Sequence, residues 1–297
     1  MKTMMVLIKR NCKLFFKDKG MFFTSLITPA ILLLLYSTFL GKVYRDSFDM
    51  FAPPGFTFPS ELADGFVASQ IMAAILSVSC ITVAFCSNML MVQDKANGTI
   101  KDLTISPVKS SMLSVSYYIS TIISTLIVIF AATGLCMIYV DIKGWYIPAE
   151  DAALIFLDSF ILVLFGTALS SVINVFIKTQ GQMSAVGTIV SSGYGFICGA
   201  YMPIAGFARG IQNVISFLPG TYGTGIIRNH CLGGYFEEMT ETGLPEEVIK
   251  GMRDGIDCNL YFNDKAVSLD AMYVIMLVTI VVLVTLYVLL NMVKKQK

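Results

Sequence analysis

The sequence predicts an all-α polytopic membrane protein, and three observations carry that prediction. Charged residues make up 14% of the 297, against about 25% in an ordinary soluble domain. The mean hydropathy is +0.74. Apolar runs of about 20 residues, the length a spanning helix needs, recur along the chain and carry almost no charge. With 21 basic and 20 acidic residues the net charge is +1. This excludes a soluble globular enzyme, a disordered chain, a collagenous or disulfide-dense scaffold and a basic nucleic-acid binder. A membrane β-barrel would show short alternating segments instead.

Taken in order, residues 1–20 form an amphipathic helix. At roughly 100° per residue, Lys9, Arg10, Lys13 and Lys17 share one arc. Met4, Met5, Ile8, Cys12, Phe15 and Phe16 share the opposite one. Such a helix lies on the anionic inner leaflet or serves simply as a topology anchor. It is not a cleavable signal, because a full-length span follows and no small-residue cleavage site does. Six spans are expected: 21–41, 66–92, 111–140, 152–177, 183–205 and 271–293.

The connections differ in kind. Residues 42–65 hold Pro53-Pro54, Gly55 and Pro59 and form an irregular outer loop. Residues 93–110 are the longest inner loop, Asp141–Asp151 a short outer turn and Lys178–Gln182 a tight inner turn. Residues 206–268 form a large outer segment. Its first part is apolar but broken by Gly206, Gly210, Pro219, Gly220, Gly223 and Gly225. It reads as a short re-entrant outer hairpin with its backbone buried in protein. Its second part is polar and acidic, with a helix start at Pro245-Glu246-Glu247. The chain reads as a single transmembrane domain, 1–297, with no appended soluble domain.

An even number of spans puts both termini on one side. That side carries thirteen of the 21 Lys and Arg, the other eight. The excess of basic residues places both termini in the cytoplasm of a multi-pass protein of the plasma (cytoplasmic) membrane.

No G-x-x-x-x-G-K-[ST] occurs, so this chain does not hydrolyse ATP through a P-loop. No H-E-x-x-H occurs, and no metal site is read. The single histidine, His230, lies in the outer segment, as a ligand or base, or as a surface or packed loop residue. Asp158 is the ionisable residue well inside a span. It handles protons or substrate, or it is solvated at the outer helix end; no second acid makes a catalytic pair. Gly193-Tyr194-Gly195 has the letters of a potassium filter but sits inside a full span, so chance explains it. Gly195 and Gly199 form a G-x-x-x-G that favours close helix packing. Cys80, Cys86, Cys136 and Cys198 read as small packing residues and Cys12 as a reduced cytoplasmic thiol. Cys231 and Cys258 share the oxidising outer side and could form a disulfide.

The informative loop runs from Gln93 to Val108. Asn97-Gly98 can break the incoming helix. Thr99 can cap a short new helix through Leu103, stopped before Ser106-Pro107. Ile100 and Leu103 give that helix an apolar edge suited to a groove on a soluble partner.

Here the sequence resembles a known family. Gly98-Thr99, Leu103 and Ser106-Pro107-Val108 match the G-T-x-x-x-L-x-x-S-P-[VLI] signature that follows the second span of ABC-2-type transporter permeases. Gly199-Ala200-Tyr201-Met202-Pro203, then Leu218-Pro219, Thr221-Tyr222 and Arg228, are similar to the family's G-x-x-x-P, N-P-x-T-Y and R pattern. Ala96 stands where the family usually has Glu, and whether Asp94 takes its place is left open; Gly220 separates Pro219 from Thr221.

The resemblance implies a permease subunit that pairs with a second copy or a paralogue. Each copy would recruit a cytoplasmic ABC ATPase holding ATP and Mg. Drive would pass through Asp94, the 98–107 loop and the basic N-terminal helix. The second and fifth spans would line the pathway. The outer hairpin, with Pro203, Pro219, Tyr222 and Arg228, would gate it. Membrane lipids surround such a subunit, no nucleic acid is involved, and the family mostly exports: drugs, antibiotics, peptides or lipid-like substrates. Two other classes stay in view: a membrane-embedded hydrolase built on Asp158 and His230, and an ATPase-coupled immunity or sensor protein without true transport.

Overall fold

The computed structural model describes residues 2–35, 41–42, 45–46, 58–105 and 108–294. Pro53-Pro54, Gly55 and Ser106-Pro107 lie outside the described residues. Helix α1 is Lys2–Lys17 and α2 is Lys19–Leu35. Between them the Asp18 carboxylate accepts the Met21 N–H at 3.0 Å. This ties down an otherwise unpaired donor of the new helix. Helix α3, Ser60–Ala96, begins six residues before the expected span. Polar residues such as Glu61 carry the helix past its apolar run, and an acid is favoured beside the N-terminal dipole.

Asn97 ends α3, its N–H bonded to the Gln93 carbonyl at 2.9 Å. Gly98 then turns at φ +80° and the short α4, Thr99–Ile105, begins. The break falls where Asn97-Gly98 predicts it, with one difference. Thr99 is the first helical residue rather than the cap, and the Gly98 carbonyl accepts the Asp102 N–H.

Helices α5 (Ser110–Lys143) and α6 (Ala149–Phe176) follow. Helix α7, Gln180–Ile197, opens with Thr179 accepting the Gln182 N–H, while Gln182 accepts the Lys178 N–H in return. This resembles a capping box. It ends eight residues before the expected 205, because Gly199 turns the chain at φ +72° and Pro203 opens a single 3₁₀ turn, Ile204–Gly206.

The outer segment departs most from expectation. The stretch read as a short outer hairpin is made of two helices of unequal length. An eight-residue helix, α8 (Arg209–Ser216), is followed by a 23-residue helix, α9 (Pro219–Glu241). Helix α9 is buried along most of its length against α3 and α6, and against α11. Helix α10, Glu246–Gly255, starts after Pro245 as its sequence predicts. Strands β1 (Leu260–Phe262) and β2 (Lys265–Val267) form an antiparallel hairpin. Its two turn residues, Asn263 and Asp264, have φ +48° and +61°, as a type I′ turn requires. The last helix is α11, Leu269–Lys294.

Helices α3, α5, α6 and α11 are long and apolar enough to cross a bilayer. The other two expected spans are α2, which is shorter over the described residues, and α7, whose Gln, Ser, Thr and Gly residues lower its hydropathy. Helix α3 is the centre of the bundle, packed against α2, α5, α6, α7 and α9 and buried over nearly its whole length. Its Met72, Leu76 and Ile81 meet Ile155 and Leu162 of α6 and Ile226 of α9 in one core. Helices α5 and α11 turn large apolar side chains outward, among them Ile127, Leu135, Val274 and Val281. So much exposed apolar surface belongs against lipid.

Candidate functional site

The N-terminal helix does more than rest on a surface. Leu7, Asn11 and Phe15, four residues apart, are buried in a stripe that faces the bundle, and α1 packs chiefly on α5. Met5 and Phe16, expected on one apolar arc with Phe15, stay exposed. Lys9, Lys13 and Lys17 are exposed as expected. Arg10 is not. It turns inward and grips Asp94 near the end of α3, with Nη1 to Oδ2 at 2.7 Å and Nη2 to Oδ1 at 3.3 Å. Tyr117 of α5 donates its hydroxyl to the same Oδ2 at 2.5 Å. Asp94 is buried, so its charge is held by these partners instead of water. One carboxylate thus joins α1, α3 and α5.

The same end of α3 is fastened on its other side. Lys95 Nζ donates to the Asn174 carbonyl of α6 at 2.9 Å. One turn or two deeper, Asn88 donates to Ser170 and Ser171, and Asn174 donates back to the Asn88 carbonyl. Helix α4 hangs from this clamped end. Of its expected apolar edge, Ile100 and Leu103 are half-buried and pack on the chain's own core. Ile105 is the apolar side chain that faces out, at 85% exposure. The sequence reading stopped the helix at Leu103, and so missed the next apolar residue of the same run.

A groove of about 970 Å³ opens between α2, α3 and α7. Met21, Ile27 and Ile31 line it from α2, Met89 from α3, and Met183 and Phe196 from α7. Ser184, Thr188, Ser191 and Ser192 run along its α7 wall. The hydroxyls of Thr188 and Ser192 are already bonded to carbonyls one turn back, so they present little free polarity. Asp18 and Gln93 line it too, at the α1–α2 junction and the last turns of α3. The second and fifth spans, expected to line the pathway, line this groove unequally. Helix α7 is open along most of its length, while α3 shows the groove little more than Cys86, Met89 and Gln93.

At the far end of the bundle Arg228 of α9 is buried. Its Nη2 donates to the Gly199 carbonyl at 2.8 Å, and its Nη1 lies 3.6 Å from Asp257 Oδ2. Asp257 in turn accepts the Ile204 N–H at 2.8 Å. Burial pushes the Asp257 carboxyl up, against the pull of Arg228 and of backbone N–H groups. The two motifs around Pro203 and Arg228 are therefore stapled together through Asp257, which the sequence reading did not single out. Pro219 starts α9, and Tyr222 donates across the α8–α9 break to the Ser216 carbonyl at 2.5 Å. The G-x-x-x-G pair serves no helix contact. A Cβ on Gly195 would meet the Tyr201 ring at 2.2 Å, and Gly199 supplies the left-handed turn.

The possible Cys231–Cys258 disulfide is not formed: both thiols are free and buried. Cys231 faces the core from α9, and burial pushes the Cys258 thiol up to about 12.

Asp158 is also corrected. It is 0% exposed, not solvated at a helix end. Nδ1 of His230 lies 2.6 Å from its Oδ2, and Tyr273 of α11 donates to its Oδ1. Because α9 packs among the long helices, His230 stands against α6 instead of out in a loop. An Asp–His pair is the orienting half of a hydrolytic triad. The other half needs a hydroxyl or thiol on Nε2, and none bonds there among the described residues.

A lipid-facing helical bundle with an open apolar groove and a short helix at the clamped end of its central helix fits a membrane protein of the permease class. The model of one family, the ABC-2 type transporter, matches residues 2–230, and the chain belongs to that family. The match ends within α9. No curated protein matches the chain.

Proposed function

We propose that this permease is the membrane subunit of an ATP-driven exporter, powered by a separate cytoplasmic ATPase that holds the ATP and Mg. The observation that carries the reading is the junction of Arg10, Asp94 and Tyr117. A push on α1 reaches α3 through a fixed ion pair, a push on α4 reaches it through the chain at Asn97-Gly98, and α3 packs on most of the other helices. Ile105, with the half-buried Leu103 behind it, supplies the apolar contact for the ATPase. The basic face of Lys9, Lys13 and Lys17 meets the inner leaflet, with both termini cytoplasmic.

A second copy or a paralogue pairs across the open α2–α3–α7 face. The groove then becomes the substrate path, closed outside by α8 and α9. Its methionines and aliphatic residues favour an apolar or amphipathic cargo, since Met adapts to varied apolar shapes. The test is reconstitution with the ATPase in liposomes. Substrate-stimulated ATP hydrolysis and uptake into inverted vesicles are expected. Hydrolysis indifferent to this subunit would overturn the reading.

A further inference from the structure

The chain's only histidine sits in a buried polar cluster that the transport reading does not use. Asp158 accepts from His230 of α9 on one oxygen and from Tyr273 of α11 on the other. Three helices meet at one buried carboxylate. Asp151 lies two turns up α6, half-buried, with its Oδ2 beside Gly233 of α9. Its charge bears on His230. Glu237 of α9 and Glu150 bear on Asp151. Helix α3 presents no ionised group to the cluster, only the Cys80 thiol near Asp158. On its own helix Arg228 turns to Asp257 and Asn229 to Arg253 of α10, while the buried Cys231 thiol lies near Asp158.

We propose that His230, Asp158 and Tyr273 form a proton-binding latch, in which the imidazolium holds α9 against α6 and α11 and loss of its proton loosens that helix. The proton leaves from Nε2, which bonds to nothing among the described residues, and passes to water. Nδ1–H stays on Asp158. The carboxylate is then buried with neutral donors only, and a buried charge that loses its counter-charge is strongly destabilised. Burial alone would lower the pKa of His230; the hydrogen bond and charge of Asp158, with the charge of Asp151, outweigh it and raise the pKa above its ordinary value. A raised histidine contributes stability that is complete below the unfolded value and lost as pH climbs through the folded one. The latch therefore holds through the ordinary titration range of histidine and slackens as pH climbs above it. That α9 is the outer gate rests on the permease reading; the proton site does not.

The experiment is ¹⁵N NMR of ring-labelled histidine in the full chain in lipid nanodiscs, where one histidine gives one set of signals. A titration midpoint above that of free histidine is expected, falling to or below the free value in Asp158→Asn. A midpoint at or below the free value in the native chain, or one unmoved by Asp158→Asn, overturns the site. Backbone hydrogen exchange in α9 should quicken across the same midpoint and lose its pH dependence in His230→Gln. Exchange that ignores pH in the native chain overturns the latch. Tyr273→Phe keeps the charged pair and should keep the titration, so a variant that folds poorly does not decide the matter. None of these readings needs an ATPase or a substrate, so their failure leaves the transport proposal standing.

Discussion

Cutting the Arg10–Asp94 contact should uncouple α1 from α3 at a cost that the geometry bounds. Arg10→Met keeps the aliphatic stem in place and removes the charge. Asp94 is then buried with one neutral donor, Tyr117. Removing one partner of a fully buried pair costs about 3–5 kcal/mol. Here the arginine side chain is 29% exposed and that of the aspartate 9%. Water screens the pair in part, so about 2 kcal/mol is the expected loss. Asp94→Asn leaves the half-exposed cation unpaired and should cost a similar amount. Since each single change already breaks the contact, the double variant should lose only about 2.5 kcal/mol, a coupling near 1.5 kcal/mol. The assay is reversible unfolding in mixed micelles over the four members of the cycle. Additive losses, with the double variant about 4 kcal/mol down, would refute the reasoning.

Other outcomes follow from the same geometry. Gly98→Ala meets no neighbour within 4 Å but must hold φ +80°; it should lose about 1 kcal/mol, and Gly98→Asn less, by the same unfolding assay. Arg228→Met strands Asp257 and the Gly199 carbonyl; it should lose about 3–5 kcal/mol, and Arg228→Lys should not restore it because a single ammonium lacks the fork. Maleimide-polyethylene-glycol labelling in denaturant should count seven thiols with or without reductant; a count of five without reductant would restore the Cys231–Cys258 bond.

Much of the architecture is legible in the sequence because lipid imposes simple rules. Long uncharged runs must be helices there, and α3, α5, α6 and α11 come out so. The α3–α4 break is readable because Asn97-Gly98 is a local signal needing no partner. The failures share a cause. Arg10, Asp158 and His230 look like surface or helix-end groups one at a time, and only tertiary packing makes Arg10 the partner of Asp94 and His230 the partner of Asp158. Helix α9 was hidden by its glycines, three of which, Gly220, Gly223 and Gly225, read as breaks in the sequence. In a crowded bundle a glycine also lets helices approach, as Leu162 against Gly223 shows. Cys231 and Cys258 share a side of the membrane, but each thiol is buried without the other as a bonded partner. The β1–β2 hairpin has a clear turn signal in Asn263-Asp264, yet its strands are three residues long and too short to show alternation.

The central claim is that force enters through α4 and the Arg10–Asp94 junction. The most direct measurement is substrate-stimulated ATP hydrolysis by the reconstituted permease and ATPase, comparing the native chain with Ile105→Asp and Arg10→Met. The account predicts that Ile105→Asp leaves the permease folded but abolishes ATPase binding, whereas Arg10→Met still binds the ATPase and loses the stimulation. Full stimulation in both variants would contradict it.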